Sequence, residues 1–273
     1  MTNKSFILII ASVLALVTPA SSQESQITLY FKNDSVNAFQ ISDAYETHSM
    51  GMRYVKNKSF FELDLAIVSP DMHIYKNEYR VANRSFGEIV ALTYGKTALT
   101  YDDFSMSTHF IAKATGEFGI DALQDLMHKV LDLQPVNEVN DLVRMPNAYW
   151  YGFGSEVRKS ITNQKSKDQV NIGANFYFGS DRAEVSPFAN VQRKYANSNV
   201  SGEFGLRSVF YDKIVSAEPI KAAHRTFIPY LELGVEFEYK NLTWFIEEHF
   251  SAPTIRGDNS MFAVLHAGVT HKF

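Results

Sequence analysis

The chain has 273 residues, of which 26 are basic and 30 acidic, so its formal net charge at pH 7 is −4. So small an acidic excess argues against nucleic acid as the main partner. The chain contains no cysteine, which excludes disulfides, zinc–thiolate sites and a thiol nucleophile.

The N-terminal segment predicts a secretory signal peptide. Lys4 supplies a positive charge, residues 6–17 form an apolar run, and small residues follow at positions 20–22. The run is too short for a membrane-spanning helix, which needs about 20 apolar residues. We expect cleavage after Ser22, so that residues 1–22 are the signal peptide and residues 23–273 form one exported domain.

Apolar and polar residues alternate with a period of two through most of the remaining chain. In the segment from Phe227 to Tyr239, every second residue is apolar, and the residues between them include Glu232 and Glu236. A long strand with one apolar and one charged face is typical of the wall of a membrane β-barrel. The aromatic content of 14% also suits a barrel with aromatic girdles.

These patterns predict an all-β fold, a transmembrane antiparallel β-barrel of about twelve strands. The predicted strands lie near 26–32, 47–56, 60–68, 84–95, 97–110, 148–160, 168–178, 183–193, 199–211, 226–240, 242–250 and 260–273. Short turns, among them Gly95-Lys96, are expected in the periplasm and the longer connections outside the cell. The last strand ends on Phe273, which is similar to the signature that the barrel-assembly machinery reads in outer-membrane proteins.

The longest connection, residues 111–147, contains a predicted short helix at 119–133. Its apolar residues recur at helical spacing, and most of its polar residues lie on the opposite side. His128 has Gln124 and Asp132 one turn away on either side, and a neighbouring carboxylate can orient an imidazole and raise its basicity. A single histidine in a loop also has an ordinary structural interpretation.

Other polar residues fall at the same end of the predicted barrel. Asn33-Asp34 ends the first strand, Ser49 lies at the start of the second, and Ser69-Pro70 follows the third. An Asn-Asp pair is commonly a turn former. The strand count nevertheless gathers Asn33, Asp34, Ser49 and His128 at one extracellular rim, which makes them candidate site residues.

These motifs resemble those of the lipid A 3′-O-deacylases, twelve-stranded outer-membrane barrels that remove an acyloxyacyl chain from lipopolysaccharide. The resemblance covers most of the mature chain and rests on short segments, which are Tyr30 to Asp34, Asp43 with His48 to Gly51, Ser69-Pro70, Asn83 to Gly87, and Leu123 to His128. Ser49 stands where the family has threonine, His48 where it has an aromatic residue, and Gln134 where an acid is expected.

The resemblance implies ester hydrolysis in which His128 is the general base, with Asn33, Asp34 and Ser49 in the same site. It also implies calcium as a cofactor, for which oxygen atoms of these loops are suitable ligands. Arg84 is the expected contact to lipid A phosphates, and Arg53, Arg144, Arg158 and Lys159 are further candidates if they reach the outer half of the barrel. The expected protein is a monomer in the outer membrane.

The motifs of two other hydrolase classes are missing from the sequence. It contains neither the Gly-x-Ser-x-Gly motif of serine hydrolases nor the His-Glu-x-x-His motif of zinc proteases. Two further functions stay open, a passive pore or structural barrel and a host-binding adhesin. Inward-facing Tyr30, Tyr177 and Tyr230 would indicate a filled lumen and argue against an open pore.

Overall fold

The computed structural model describes residues 25–33, 48–68, 71–75, 78–82, 87–119, 145, 147–162, 167–213, 226–252 and 262–273. The predicted signal peptide and residues 120–133 of the predicted helix lie outside these ranges. Within them, no helix is both long and apolar enough to cross a membrane.

The described strands form a closed barrel and one separate hairpin. In chain order they are β1 Ser25–Asn33, β2 His48–Lys56, β3 Ser59–Val68, β4 Asp71–Tyr75, β5 Glu78–Ala82, β6 Gly87–Tyr101, β7 Phe104–Gly116, β8 Ala148–Ser160, β9 Asp168–Gly179, β10 Arg182–Lys194, β11 Ser198–Asp212, β12 Phe227–Tyr239, β13 Leu242–Ser251 and β14 Phe262–Lys272. Strands β4 and β5 pair only with each other, and the other twelve close the barrel through the antiparallel pairing of β1 with β14. The predicted twelve-stranded antiparallel barrel is therefore confirmed.

The predicted turn at Gly95-Lys96 is wrong. Strand β6 continues to Tyr101, and the turn falls at Asp102-Asp103, where Asp102 has a φ of 41°. Gly95 pairs with Phe60 on β3, and a Cβ atom at Gly95 would lie 2.3 Å from the Phe60 ring. The glycine thus makes room for an aromatic ring on the neighbouring strand, a role that its sequence context does not reveal.

The outer face of the wall carries exposed aromatic side chains. Tyr94, Phe110, Phe153 and Phe178 follow one another across β6, β7, β8 and β9 in direct register, and all four are exposed. Such a band matches the lipid-facing surface of a membrane barrel.

Tyrosine rings and carboxylates fill the inner face. Tyr30 donates to Glu62 over 2.8 Å, Tyr177 to Asp181 over 2.7 Å and Tyr230 to Glu203 over 3.0 Å. All three tyrosines are buried, as expected of inward-facing rings in a filled lumen.

Glycines on neighbouring strands provide the space for these rings. A Cβ atom would lie 2.2 Å from the Tyr30 ring at Gly51 and 2.4 Å from the Tyr230 ring at Gly205. Tyr30 and Gly51 are direct register partners, as are Tyr230 and Gly205. The pairing of aromatic residues with glycines therefore helps to set the register of the wall.

The two ends of the barrel differ in their connections. Residues 34–47, 117–147, 213–226 and 252–261 connect strands at one end, which we call the long-loop end, where β1 finishes and β2 begins. Residues 57–58, 102–103 and 240–241 connect strands at the other, short-turn end. The predicted site residues of β1 and β2 belong to the long-loop end.

Candidate functional site

Two of the predicted site residues fall within the described strands. Asn33 is the last residue of β1 and pairs with His48, and Ser49 pairs with Lys32, so both lie at the long-loop end. Asp34, Arg84 and His128 lie outside the described residues.

Asn33 and Ser49 occupy opposite faces of the wall. Ser49 shares its face with Lys32, whose ammonium lies 3.8 Å from Asp64 inside the lumen. Asn33 lies four residues after Leu29 on β1 and therefore on the same face, and Leu29 is 52% exposed on the outer face. Asn33 and Ser49 thus lie on neighbouring strands, one position out of register and on opposite faces, and a ligand could contact both only at the rim.

Asn33 belongs to a register row that runs along the outer face. It pairs with His48, His48 with Ile67, and Ile67 with Glu88. Asn33 and Glu88 are each only 1% exposed and Ile67 is 2% exposed, although other residues on this outer face, such as Leu29, are exposed. Protein atoms therefore cover the outer wall at this level of β1, β3 and β6.

The connection that contains His128 leaves and rejoins the barrel beside this row. The backbone N–H of Phe118 donates a hydrogen bond to the carboxylate of Glu88. Met145 is buried against the start of β6, where a Cβ atom at Gly87 would lie 2.6 Å from the Met145 Cβ. Both described ends of the connection are thus held by the first two residues of β6.

The described residues offer neutral oxygen ligands for a calcium ion. The Asn33 carboxamide oxygen on the outer face is a hard ligand. The Ser49 hydroxyl is buried with no hydrogen-bond partner among the described residues, but it faces the lumen and could join the same ion only at the rim. Within that part of the chain, no three His, Asp or Glu side chains gather in a way that could hold a metal. A calcium ion fits this donor set if a carboxylate, such as that of Asp34, completes it.

Three of the basic residues considered for phosphate binding lie far from the long-loop rim. Arg53 and Arg158 face the lumen in the short-turn half of their strands, where Arg53 lies 3.8 Å from Glu62 and Arg158 lies 3.0 Å from Glu156. Lys159 lies 3.8 Å from Asp103 at the short-turn end. These three side chains therefore do not reach the outer half of the barrel, where lipid A phosphates were expected to bind. Arg84 and Arg144 lie outside the described residues.

A second buried polar cluster at the long-loop end was not predicted from the sequence. Asp181, in the short connection between β9 and β10, accepts hydrogen bonds from Lys113 and Tyr177, each over 2.7 Å. Burial alone would raise the pKa of the Asp181 carboxyl, but the Lys113 ammonium, the Tyr177 hydrogen bond and the Arg182 guanidinium together outweigh it, and the pKa is lowered. This cluster lies on the lumen side and ties β7 to β9, so it supports the wall and lies apart from the Asn33 row.

The fold defines a β-barrel of the outer-membrane type, and comparison with known proteins agrees. No protein-family model and no curated protein matches the sequence. Among solved structures, LpxR from Salmonella typhimurium superposes with a TM-score of 0.77 at 12% identity, over 91% of this chain and 100% of that chain. The KdgM porin has a TM-score of 0.46 at 9% identity over 91% and 99% of the two chains. The toluene transporter TodX of P. putida has one of 0.44 at 9% identity over 93% and 91%.

At these identities the likeness shows the fold alone. The superposition on LpxR establishes a shared twelve-stranded barrel over nearly the whole described chain.

Proposed function

We propose that the protein is an outer-membrane hydrolase that removes an ester-linked acyloxyacyl chain from the lipid A of lipopolysaccharide. The observation that carries the proposal is the position of the connection containing His128. Its described ends are held at Gly87 and Glu88, and Glu88 lies in the outer-face row that includes Asn33. This arrangement supports the motif resemblance, because the described ends of the connection that contains Leu123 to His128 lie beside the row to which Asn33 belongs.

The dimensions of the wall are compatible with such a site. Glu88 and Asn33 are separated by three strand spacings, about 14 Å. A helix of ten residues rises about 15 Å, and ten residues separate Phe118 from His128. The predicted helix would begin after Gly119, whose φ is 83°, and is therefore long enough to bridge most of the distance between Glu88 and Asn33.

The outer face is a suitable place to hydrolyse a membrane lipid. The ester bonds of lipid A lie near the boundary between the headgroups and the acyl chains. A site on the outer wall reaches such a bond while the acyl chains stay in the membrane, whereas a site in the lumen would require the lipid to leave it. The buried, inward-facing rings of Tyr30, Tyr177 and Tyr230 also favour an enzyme over a passive pore, because such rings take up space that an open pore would leave free.

In the proposed reaction His128 takes a proton from a water molecule as the water oxygen attacks the ester carbonyl carbon. The carbon–oxygen bond of the ester then breaks, the sugar oxygen leaves as a hydroxyl after receiving a proton, and the fatty acid is released. General-base assistance of this kind contributes roughly 10²–10⁴ in rate.

The remaining site residues would stabilise the negative charge that develops on the carbonyl oxygen. We assign Asn33 and Asp34 to holding calcium, which when bound supplies positive charge to that oxygen. Ser49 is assigned to the rim of the same site, because its hydroxyl is buried and no described residue bonds it. Arg84 is assigned to a lipid A phosphate on the basis of the resemblance.

The proposal is tested by expressing the protein in a Gram-negative host that lacks such an enzyme and measuring the mass of its lipid A. Loss of one acyloxyacyl chain is expected. Unchanged lipid A from cells that contain abundant, heat-modifiable barrel in the outer membrane would contradict it.

A further inference from the structure

Glu248 places a carboxylate on the lipid-facing surface of the barrel. Two and four residues before it on β13, Ile246 and Trp244 are 54% and 53% exposed on the outer face. Its register partners are Leu233 on β12 and Leu265 on β14. The neighbouring Glu247 has the opposite parity and lies 2.8 Å from His266 on the inner face. The strand pairing therefore directs Glu248 away from the lumen.

The environment of Glu248 gives its carboxylate no compensating partner among the described residues. Its Oε1 atom is buried and receives no hydrogen bond from that part of the chain. Ionisable groups at the membrane face are unfavourable unless they are paired, and those that occur there are commonly functional. Glu248 as a whole is nevertheless partly exposed, and an external hydrogen-bond donor is the simplest partner for its carboxylate.

Glu248 lies in the same register row as Asn33. It pairs with Leu265, and Leu265 pairs with Asn33, so two strand spacings, about 10 Å, separate Glu248 from Asn33. Beyond Asn33 in the other direction the row is buried at Ile67 and Glu88, whereas beyond Glu248 it is exposed at Leu233. The open approach to Asn33 along the wall therefore crosses β13 and β14.

We propose that Glu248 docks the sugar headgroup of the lipid substrate as it moves laterally along β13 and β14 toward Asn33. An ionised carboxylate only accepts hydrogen bonds, so it would repel a phosphate and bind amide N–H and hydroxyl groups. An acylated amino sugar presents both kinds of donor. The inference rests on the proposed function for the identity of the lipid, but docking does not require that the ester be hydrolysed.

Site-specific photo-crosslinking in the outer membrane tests the docking site. A photoreactive amino acid replaces Leu265, between Glu248 and Asn33, in the full chain, and the yield of crosslinked lipopolysaccharide is measured. Phe178, exposed on the outer face of β9, is the matched control position. We expect a higher yield at Leu265 than at Phe178. We also expect Glu248→Leu to lower the Leu265 yield about tenfold, since leucine accepts none of the hydrogen bonds that the carboxylate would accept from the headgroup.

Substitution with glutamine distinguishes hydrogen-bond donors from a bridging cation. Glu248→Gln keeps a neutral acceptor oxygen and should lose clearly less of the yield at Leu265 than Glu248→Leu, whereas a divalent cation shared with a phosphate would be lost as completely in both variants. Equal yields at Leu265 and Phe178, no effect of Glu248→Leu, or equal losses in both variants would each overturn the proposal. The mass of lipid A from the same cells reports separately on hydrolysis, so that failure of the proposed function is distinguishable from failure of docking.

Discussion

The backbone N–H of Phe118 donates a hydrogen bond to the buried carboxylate of Glu88 and so ties the connection that contains His128 to the outer wall. Removing this acceptor should release the base of the connection and leave the barrel closed. We expect Glu88→Ala to reduce lipid A deacylation at least tenfold, because a buried donor left without its acceptor costs about 1–3 kcal/mol.

The effect of Glu88 is measured as the deacylation rate together with limited proteolysis of intact cells. New cleavage between residues 119 and 144 should accompany the loss of activity. Glu238→Ala is the matched control, since Glu238 is exposed near the short-turn end. Full activity and unchanged proteolysis in Glu88→Ala would show that the bond does not position the connection.

The space over Gly51 should be essential for packing the lumen. A Cβ atom there would lie 2.2 Å from the Tyr30 ring, so Gly51→Val should destabilise the barrel by about 1–3 kcal/mol through overpacking. Adding Tyr30→Ala should recover part of this loss because it removes the clash. The free energy of unfolding of the two single variants and the double variant measures the coupling, and additive losses would show that the ring and the glycine do not interact.

The stability of the long-loop end should depend on pH through Asp181. Burial acts to raise its folded-state pKa, but Lys113, Tyr177 and Arg182 together lower it. The ionised carboxylate therefore stabilises the protein above the unfolded pKa of about 4, and this contribution is lost as the pH falls through the lowered folded value. Asp181→Asn should cost about 3–5 kcal/mol at pH 7, because it leaves the Lys113 ammonium buried and unpaired.

Unfolding of the parent and of Asp181→Asn between pH 7 and pH 2 measures this contribution. The difference in the free energy of unfolding should be constant near neutral pH and shrink below about pH 4. Arg193 and Asp168 form an exposed pair with an N–O distance of 2.6 Å, and Asp168→Asn should have little effect at any pH. A difference for Asp181→Asn that stays constant down to pH 2 would be inconsistent with ionisation of this carboxyl.

Calcium should be required for turnover and not for folding. Chelation should stop deacylation while the barrel keeps its heat-modifiable mobility, because the wall is held by a closed hydrogen-bonded sheet. Added calcium should restore activity, and magnesium should do so poorly, since it prefers a smaller octahedral shell. Full activity in excess chelator would remove calcium from the mechanism.

The alternation of apolar and polar residues in the sequence was enough to predict the strands of the barrel but not all of its turns. Alternation over segments such as 227–239 predicts the number of strands and the inward position of Tyr30, Tyr177 and Tyr230. The turn at Asp102-Asp103 was missed because Gly95 resembles a turn residue until its partner Phe60 is known. Register depends on which residues of two strands pair, and the alternation within one strand does not reveal it.

Strand register is also needed to predict which face of the wall each site residue occupies. The strand count places Asn33 and Ser49 at one end, and only the pairing of Ser49 with Lys32 shows that they lie on opposite faces. Glu248 had a usable signal, because it continues the outward alternation of Trp244 and Ile246. Its relation to Asn33 nevertheless required the order of β13, β14 and β1 around the closed barrel.

The role of His128 is the central claim, and the rate of fatty acid release from lipid A by purified, folded protein in calcium-containing micelles tests it most directly. The parent and the control variant His271→Ala, altered at an exposed residue near the short-turn end, should release the acyloxyacyl chain at equal rates. His128→Ala should lower the rate by roughly 10²–10⁴ without changing the stability of the barrel. Release by His128→Ala at the rate of the parent would contradict the proposed mechanism.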